Sequence, residues 1–236
     1  MEILVDYNNI NELDRRRGPA FVLDRVIAAL GPEHLASEHR ATFRLYDGWY
    51  EERHLTHQAQ QIAADLLNTY PSTTTLTVEG KPRSIVVNAE LAYSLKLAPS
   101  KHLWHTYRLR QSPGNIKCRH PSDVGCSSPN CRLLPVFQLL TTGSCPDPAC
   151  SVRLQDVVYR SEQKLVDTML ATDLFYLAFS KMPVLGVVSS DDDLWPAMLA
   201  ATQLGVKVIQ IHTHRDRSTP AHYCQGLGNR YVQLAL

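Results

Sequence analysis

Short apolar segments that alternate with helical segments constrain the fold of this chain most strongly. Apolar runs typical of buried strands occur at Glu2 to Asp6, Val184 to Val188 and Val206 to Ile211. Strands that are apolar on both faces are covered on both sides, as in parallel sheets. The chain is therefore predicted to be an α/β protein with a central, mainly parallel sheet.

Periodicity and chain breakers predict the remaining elements. Further strands are expected at Arg40 to Tyr46 and Ser84 to Leu91. Helical spacing of apolar residues marks four segments: Ala20 to Leu30, Thr56 to Tyr70, Ser161 to Phe179 and Leu194 to Leu204. At 236 residues, the chain suits a single domain over 1–236 that carries one insertion.

Charge and hydropathy exclude some classes of protein. Lys and Arg total 24 and Asp and Glu 23, so no overall basic field indicates nucleic acid. The first ten residues lack the basic and apolar regions of a signal peptide. No run approaches the roughly 20 apolar residues that span a bilayer. We expect a cytoplasmic protein without a membrane partner.

Aspartates occupy the predicted carboxyl ends of two strands. Asp6 ends the first strand, and the strand at Val184 to Val188 leads into Asp191, Asp192 and Asp193. Asp167 lies on the helix between them and shares a face with Leu170, Leu174 and Leu177. Ligands of parallel sheets bind at the carboxyl ends of strands, so these acids are expected to meet there.

Clustered carboxylates repel one another unless a divalent cation neutralises them. Oxygen ligands suit Mg²⁺ or Mn²⁺. The alternative is structural: Asp6 caps a turn, Asp167 interacts with a helix dipole, and the run from Asp191 caps the next helix. We favour the metal site, because all the acids fall where an active site of this architecture lies.

Three ordered motifs resemble the signatures of NYN domains, which belong to the PIN-like nuclease superfamily. They are Ile3-Leu4-Val5-Asp6-Tyr7-Asn8-Asn9, then Lys164 to Asp167 followed by Thr172-Asp173-Leu174, and Ser189 to Pro196. The resemblance covers the first strand and roughly residues 160 to 215. Two positions depart from the family pattern: Asp192 stands where Gly is usual, and Leu194 where an aromatic residue is common.

The resemblance implies a PIN-like three-layer α/β/α sandwich and a metal-dependent nuclease, with RNA favoured over DNA as substrate. It implies that Asp6, Asp167 and Asp191 bind a catalytic Mg²⁺ or Mn²⁺ and that Asp193 completes or supports the cluster. The implied reaction is phosphodiester hydrolysis, as by an endoribonuclease, with one or two metal ions. The supporting residues it implies are Asn9 and Ser189, which orient the acids, and Asp173, which we place behind the ligands or at the rim.

The main rival is a catalytically silent module that keeps the fold and binds nucleic acid or a protein. Clustered acids without a metal would destabilise such a module, which favours the enzyme. A cytoplasmic nuclease also needs restraint, so we expect a regulatory or inhibitor protein.

The middle of the chain, residues 107–155, is predicted to be a cysteine-rich insertion. It holds five of the six cysteines and has little periodicity. Crowded cysteines in a reducing compartment indicate a metal, and tetrahedral zinc would stabilise a module with few apolar residues. The candidate ligands are Cys126, Cys131, Cys145 and Cys150, with Cys118 and His120 as alternates; which four bind stays open.

Two further groups are candidates for contact with nucleic acid. His214, Arg215 and Arg217, with His212, follow the strand at Val206 to Ile211, where they would grip the backbone or form a solvated loop. Tyr46, Trp49 and Tyr50 follow another strand, where they would stack on bases or pack in the core.

Overall fold

The computed structural model describes residues 1–111 and 116–236. Its strands are β1 (Glu2–Asp6), β2 (Arg40–Tyr46), β3 (Tyr50–Glu51), β4 (His54–Leu55), β5 (Ser72–Val78), β6 (Lys81–Leu91), β7 (Tyr107–Gln111), β8 (Tyr159–Gln163), β9 (Val184–Val188), β10 (Lys207–His212) and β11 (Tyr231–Ala235). Its α-helices are α1 (Glu12–Arg15), α2 (Pro19–Leu35), α3 (His57–Thr69), α4 (Leu133–Thr142), α5 (Leu154–Val157), α6 (Val166–Phe179), α7 (Trp195–Gln203) and α8 (Ala221–Cys224). Short 3-10 turns lie at Pro121–Val124, Asp192–Leu194 and Gly228–Arg230.

The chain divides into two compact units. The first comprises Met1–Tyr107 and Gln163–Leu236 and contains the main sheet. The second, Arg108–Glu162, contains α4, α5 and most of β7 and β8. Its bounds are close to those of the predicted insertion at 107–155.

The main sheet has seven strands in the order β11-β10-β9-β1-β2-β6-β5. Every neighbouring pair is parallel except β5 and β6, which form an antiparallel hairpin. The predicted mainly parallel α/β sheet is therefore confirmed. β1 lies between β2 and β9, so the carboxyl ends of these three strands are adjacent.

Helices cover both faces of this sheet. On one face α2 packs with α3, and its inward residues recur at helical spacing: Val22, Leu23, Val26, Ile27 and Leu30. On the other face α6 packs with α7 and buries Met169, Leu170, Leu174 and Leu177. Each fully buried aliphatic side chain stabilises the fold by about 1.5–3 kcal/mol. These two apolar layers hold the strand ends in register.

Most predicted elements agree with the observed bounds. The strands at Arg40–Tyr46 and Val184–Val188 are confirmed to the residue. Thr56 caps α3, whose first residue is His57, because its hydroxyl accepts the N–H of Ala59 at 3.1 Å. The predicted helix stop at Gly31 is confirmed as a kink: Gly31 has a non-helical φ of 61°, and a second helical segment follows it within the range of α2, as far as Leu35.

The predicted start of the helix at Ser161 was wrong. β8 extends to Gln163, and Leu165 adopts a left-handed φ of 68° before α6 begins at Val166. Strand pairing thus overrides local helical periodicity there. The hairpin of β5 and β6 was also not predicted, because threonine-rich β5 has no apolar run. Among the described residues, no helix has the length and apolar character needed to cross a membrane.

Candidate active site

Asp6 and Ser189 lie side by side at the carboxyl edge of the sheet. Val5 pairs with Val188 in the parallel ladder, so the residues that follow them are neighbours. Ser189 Oγ donates a hydrogen bond of 2.9 Å to Asp6 Oδ2. The same Oγ accepts the backbone N–H of Asp191 at 3.0 Å. One buried hydroxyl thus connects the carboxylate of Asp6 with the backbone of Asp191. The role of Ser189 in orienting metal ligands stays a prediction.

Asn9 ties three loops together. Its backbone N–H donates to Asp6 Oδ1 at 3.3 Å, and its side-chain Oδ1 accepts the N–H of Ser190 at 2.9 Å. Asn9 Oδ1 also accepts the hydroxyl of Thr213, which follows β10. The predicted orienting role of Asn9 therefore corresponds to contacts with the loops after β1, β9 and β10.

The other predicted acids lie at the starts of helical turns. Asp191 caps the 3-10 turn before α7, since its Oδ1 accepts the N–H of Asp193 at 3.0 Å. Asp167 is in the first turn of α6 and is exposed, as is Asp193. The capping contact leaves the second oxygen of Asp191 for another partner.

The acids interact electrostatically. Burial, followed by the charges of Asp167 and Asp191, raises the pKa of Asp6 to about 7, against the lowering effect of the hydrogen bonds from Ser189 and Asn9. Partial desolvation and the charges of Asp191 and Asp193 raise the pKa of Asp167. No cationic side chain is among these influences, so the cluster carries uncompensated negative charge that a cation would neutralise.

The carboxylates do not converge on one point. In the described ranges 1–111 and 116–236, no three His, Cys, Asp or Glu side chains are grouped to hold a metal ion. Mg²⁺ is commonly bound by one or two carboxylates, with water and substrate phosphate completing the octahedron. The donor set and its charge therefore suit a hard divalent cation that shares its coordination with a ligand.

Asp173 lies in a buried network rather than at the rim. It is fully buried and accepts hydrogen bonds from Tyr46 Oη at 2.7 Å, Arg44 Nε at 3.1 Å and the N–H of Lys96 at 2.7 Å. Arg44 also contacts Glu90. Because Tyr46 pairs with Asp6 in the ladder, Asp173 supports the strand next to the site.

Asp47 is a buried acid that sequence reasoning missed. It follows β2, is 6% exposed and accepts the N–H of Gly48 at 2.6 Å and the side-chain amide of Gln163. Burial raises its pKa to about 6. The sequence does contain a signal for this residue, because Asp47 directly follows the predicted strand Arg40–Tyr46. The Asp47-Gly48 pair was interpreted only as a chain break.

The aromatic residues after β2 pack in the core. Tyr46, Trp49 and Tyr50 are between 1% and 5% exposed. Trp49 Nε1 donates to the carbonyl of Leu45 at 3.0 Å, which fixes the ring inside. The expectation that these rings stack on bases was therefore wrong, and the packing alternative holds.

Three of the four basic candidates at the end of β10 and in the loop after it are exposed. His214, Arg215 and Arg217 face solvent, and Arg217 lies 3.9 Å from Asp192 in an exposed ion pair. His212 is instead buried, with its Nε2 3.0 Å from Gln233 Oε1. Exposure is compatible with contact to a nucleic-acid backbone and also with a solvated loop.

Two of the predicted zinc ligands are adjacent in the second unit. The Sγ atoms of Cys126 and Cys131 are 3.1 Å apart. The hydrogen bond from Cys126, and then the backbone N–H of Leu133, lower the pKa of the Cys131 thiol, which favours the thiolate that binds metals.

The other predicted zinc ligands are placed separately. Cys145 donates its N–H to the carbonyl of Val152 and Cys150 to that of Asp147, both at 3.0 Å. His120 Nδ1 lies 2.7 Å from Ser122 Oγ. Cys118, like the other cysteines, is a free thiol. In the described part of the second unit, no third His, Cys, Asp or Glu side chain joins Cys126 and Cys131 to form a metal-binding group.

Comparison with known proteins identifies no relative. No family model, curated protein or solved structure matches this chain. Buried and partly buried carboxylates without a cationic partner can bind a divalent cation and, through it, a phosphate.

Proposed function

We propose that this chain is a divalent-metal-dependent nuclease that hydrolyses phosphodiester bonds, with RNA as the favoured substrate. The observation that carries the proposal is the placement of Asp6, Asp167 and Asp191 within electrostatic reach of one another at adjacent strand and helix ends. The finer assignment of the fold, a PIN-like three-layer sandwich of the NYN type, rests on the three sequence motifs and belongs to the same proposal.

The charge of the cluster supports a metal in preference to a purely structural role. The charges of Asp167 and Asp191 raise the pKa of Asp6, and burying like charges together costs stability that a bound cation would restore. Bound Mg²⁺ or Mn²⁺ would lower the pKa of water and stabilise charge on the phosphoryl oxygens. In this proposal Asp6, Asp167 and Asp191 hold the ion, and Asp193 adds negative charge beside Asp167.

The remaining residues of the site position these ligands. Ser189 donates to Asp6 and accepts from the Asp191 backbone, so it fixes the separation of two ligands. Asn9 holds the loop after β9 against β1. These contacts restrict Asp6 and Asp191, whereas Asp167 is exposed and would move toward them to complete the ligand set.

The test is cleavage of end-labelled single-stranded RNA and DNA with Mg²⁺, Mn²⁺ or EDTA. Asp191→Asn keeps the size and capping oxygen of the side chain but removes its charge, so we expect cleavage to fall at least about 100-fold. Asp24→Asn is the matched control, because Asp24 is exposed on α2 outside the site. Binding without cleavage under every metal would replace the enzyme with a silent nucleic-acid-binding module.

A structural Zn²⁺ in the second unit is part of the proposal. Cys126 and Cys131 would supply two of its ligands, because their thiols are adjacent and one is polarised toward the thiolate. Cys145 and Cys150 are the preferred second pair, with Cys118 and His120 as alternates. Such a site is closed by four protein ligands and would fold the unit rather than take part in hydrolysis.

A further inference from the structure

A cavity of about 560 Å³ opens beside the acidic edge, within the first unit. One wall is formed by the first two helices and the residue before them, and the other by the loop after β10. Arg17, Phe21 and Arg25 lie on the first wall, and Thr213, His214 and Arg215 lie on the second. The volume is within the range of ligand-binding pockets, about 300–1,000 Å³.

The cavity and the acids share a hydrogen-bonded wall. Thr213 lines the cavity and donates its hydroxyl to Asn9 Oδ1. Asn9 in turn donates its backbone N–H to Asp6 at 3.3 Å. A chain molecule that contacts Thr213 is therefore two hydrogen bonds away from the candidate metal ligand Asp6.

The lining offers cationic groups that protein acids do not fully neutralise. Three arginines and two aspartates line the cavity. Arg25 is paired with Asp14. Within the described residues, no ion pair involves Arg17 or Arg215. Both side chains are exposed. An anionic ligand would thus meet two available guanidinium groups, which bind phosphate in a planar, forked geometry.

Arg17 is preorganised for such contact. Its guanidinium carbon lies 3.4 Å from the centroid of the Phe21 ring. This cation–π contact holds the guanidinium beside the ring, and the side chain as a whole remains exposed. Less side-chain entropy is lost when the group then binds phosphate.

We propose that this cavity binds the phosphodiester backbone of a single-stranded nucleic acid, next to the bond that the acidic site cleaves. Arg17 and Arg215 contact phosphates, and Thr213 lies between the bound strand and Asp6. The proposal rests on the proposed function for its orientation, since the strand runs from the cavity to the acids. A single strand is assigned because a flexible backbone can enter a pocket, whereas the phosphates of a duplex lie on a stiff convex surface.

The test measures binding of a fluorescent single-stranded RNA across a series of salt concentrations, without chelator, to protein in which Asp191→Asn prevents cleavage. Loss of one phosphate contact lowers the slope of log affinity against log salt by about 0.7 for a single strand. We expect that decrease for Arg17→Ala and for Arg215→Ala, each with a roughly fivefold to tenfold weaker Kd at low salt. Arg83→Ala is the matched control, because Arg83 lies near the amino end of β6, at the opposite edge of the sheet.

Two further variants separate charge from folding. Arg17→Lys keeps the charge, so its salt slope should be closer to that of the parent protein than to that of Arg17→Ala. If Arg17 were merely structural, the salt slope would not depend on the charge at this position. The double variant Arg17→Ala with Arg215→Ala should lose about twice the slope. Thermal unfolding of each variant checks that the first unit remains folded.

The outcomes distinguish this inference from the proposed function. If the protein does not cleave RNA but binds it with the expected dependence on Arg17 and Arg215, the inference stands and the nuclease assignment fails. If it cleaves RNA but both variants bind like Arg83→Ala, or if the Asp191→Asn protein binds no RNA, the inference is overturned. A duplex RNA of the same sequence is the comparison for strand preference. If it binds as tightly as the single strand and loses as much affinity in the Arg17→Ala and Arg215→Ala variants, the single-strand assignment is overturned.

Discussion

Burial and the charges of Asp167 and Asp191 both disfavour the ionised form of Asp6. Its pKa is about 7 in the folded protein, against an ordinary value of 3.8. Because the folded pKa is the higher one, folding takes up a proton between about pH 4 and pH 7. The metal-free protein is therefore expected to lose free energy of unfolding as the pH rises through this range, and a bound cation would offset that loss.

Asp6→Asn should separate stability from activity. In EDTA at pH 8, removal of the buried charge is expected to raise the free energy of unfolding by about 1–3 kcal/mol. At pH 4, where Asp6 is protonated, the variant and the parent should differ little. Urea unfolding at both pH values measures the effect, and RNA cleavage in Mg²⁺ should be lost. A destabilisation of the same size at both pH values would contradict this account.

Helix α6 bears two aspartates with opposite roles. Asp167 is exposed at its first turn, beside other acids. Asp173 is buried in its middle and paired with Arg44 and Tyr46. Six residues are a rotation of about 240° around an ideal helix, which places the two side chains about 120° apart. Asp167 therefore lies at the edge of the sheet, and Asp173 faces the packed side of the helix.

The two positions should respond differently to alanine. Asp173→Ala leaves Arg44 and Tyr46 with unsatisfied buried groups and should lower the free energy of unfolding by about 3–5 kcal/mol. Asp167→Ala should change stability by less than about 0.5 kcal/mol but abolish RNA cleavage. Urea midpoints and cleavage rates measured side by side test this contrast.

A milder variant covers the case in which Asp173→Ala does not fold. Tyr46→Phe removes one hydrogen bond to Asp173 and should cost about 1 kcal/mol. Equal instability of the Asp167 and Asp173 variants would show that the acids at the sheet edge are structural.

At the scale of the whole molecule, the second unit has little core of its own. Its longest helix, α4, buries none of its residues, and Leu133 and Val136 are exposed. A unit of this composition gains its stability from crosslinks or metals more readily than from apolar burial. The adjacent thiols of Cys126 and Cys131 are consistent with that expectation.

The purified protein is expected to contain about one zinc per chain. Cys126→Ser should lower the zinc content, whereas Cys224→Ser and Asp191→Asn should not. Chelation should make Arg119, Arg132 and Arg153 readily cleaved by trypsin, because metal binding and folding are coupled. Metal analysis by mass spectrometry and limited proteolysis measure both effects. A zinc-free protein that resists trypsin would exclude the structural metal.

The local pattern of residues was enough to predict the central elements of the fold and the position of several acids. A short continuous apolar run such as Val184–Val188 is typical of a strand buried on both faces, and the alternation of such runs with helical segments predicted the parallel sheet. Asp6 ends one such strand and Asp191 lies three residues after another, and parallel strands bring their carboxyl ends to one edge. Their proximity therefore followed from sequence.

Tertiary structure decided what depends on strand order and on distant partners. Asp47 joins the same edge only because β2 lies next to β1, and Asp173 is buried only because Arg44 meets it from 129 residues away. The cavity of Arg17 and Arg215 likewise combines segments from the two ends of the chain. Local sequence encodes periodicity and turns, whereas desolvation and ion pairing depend on which segments the folded chain brings together.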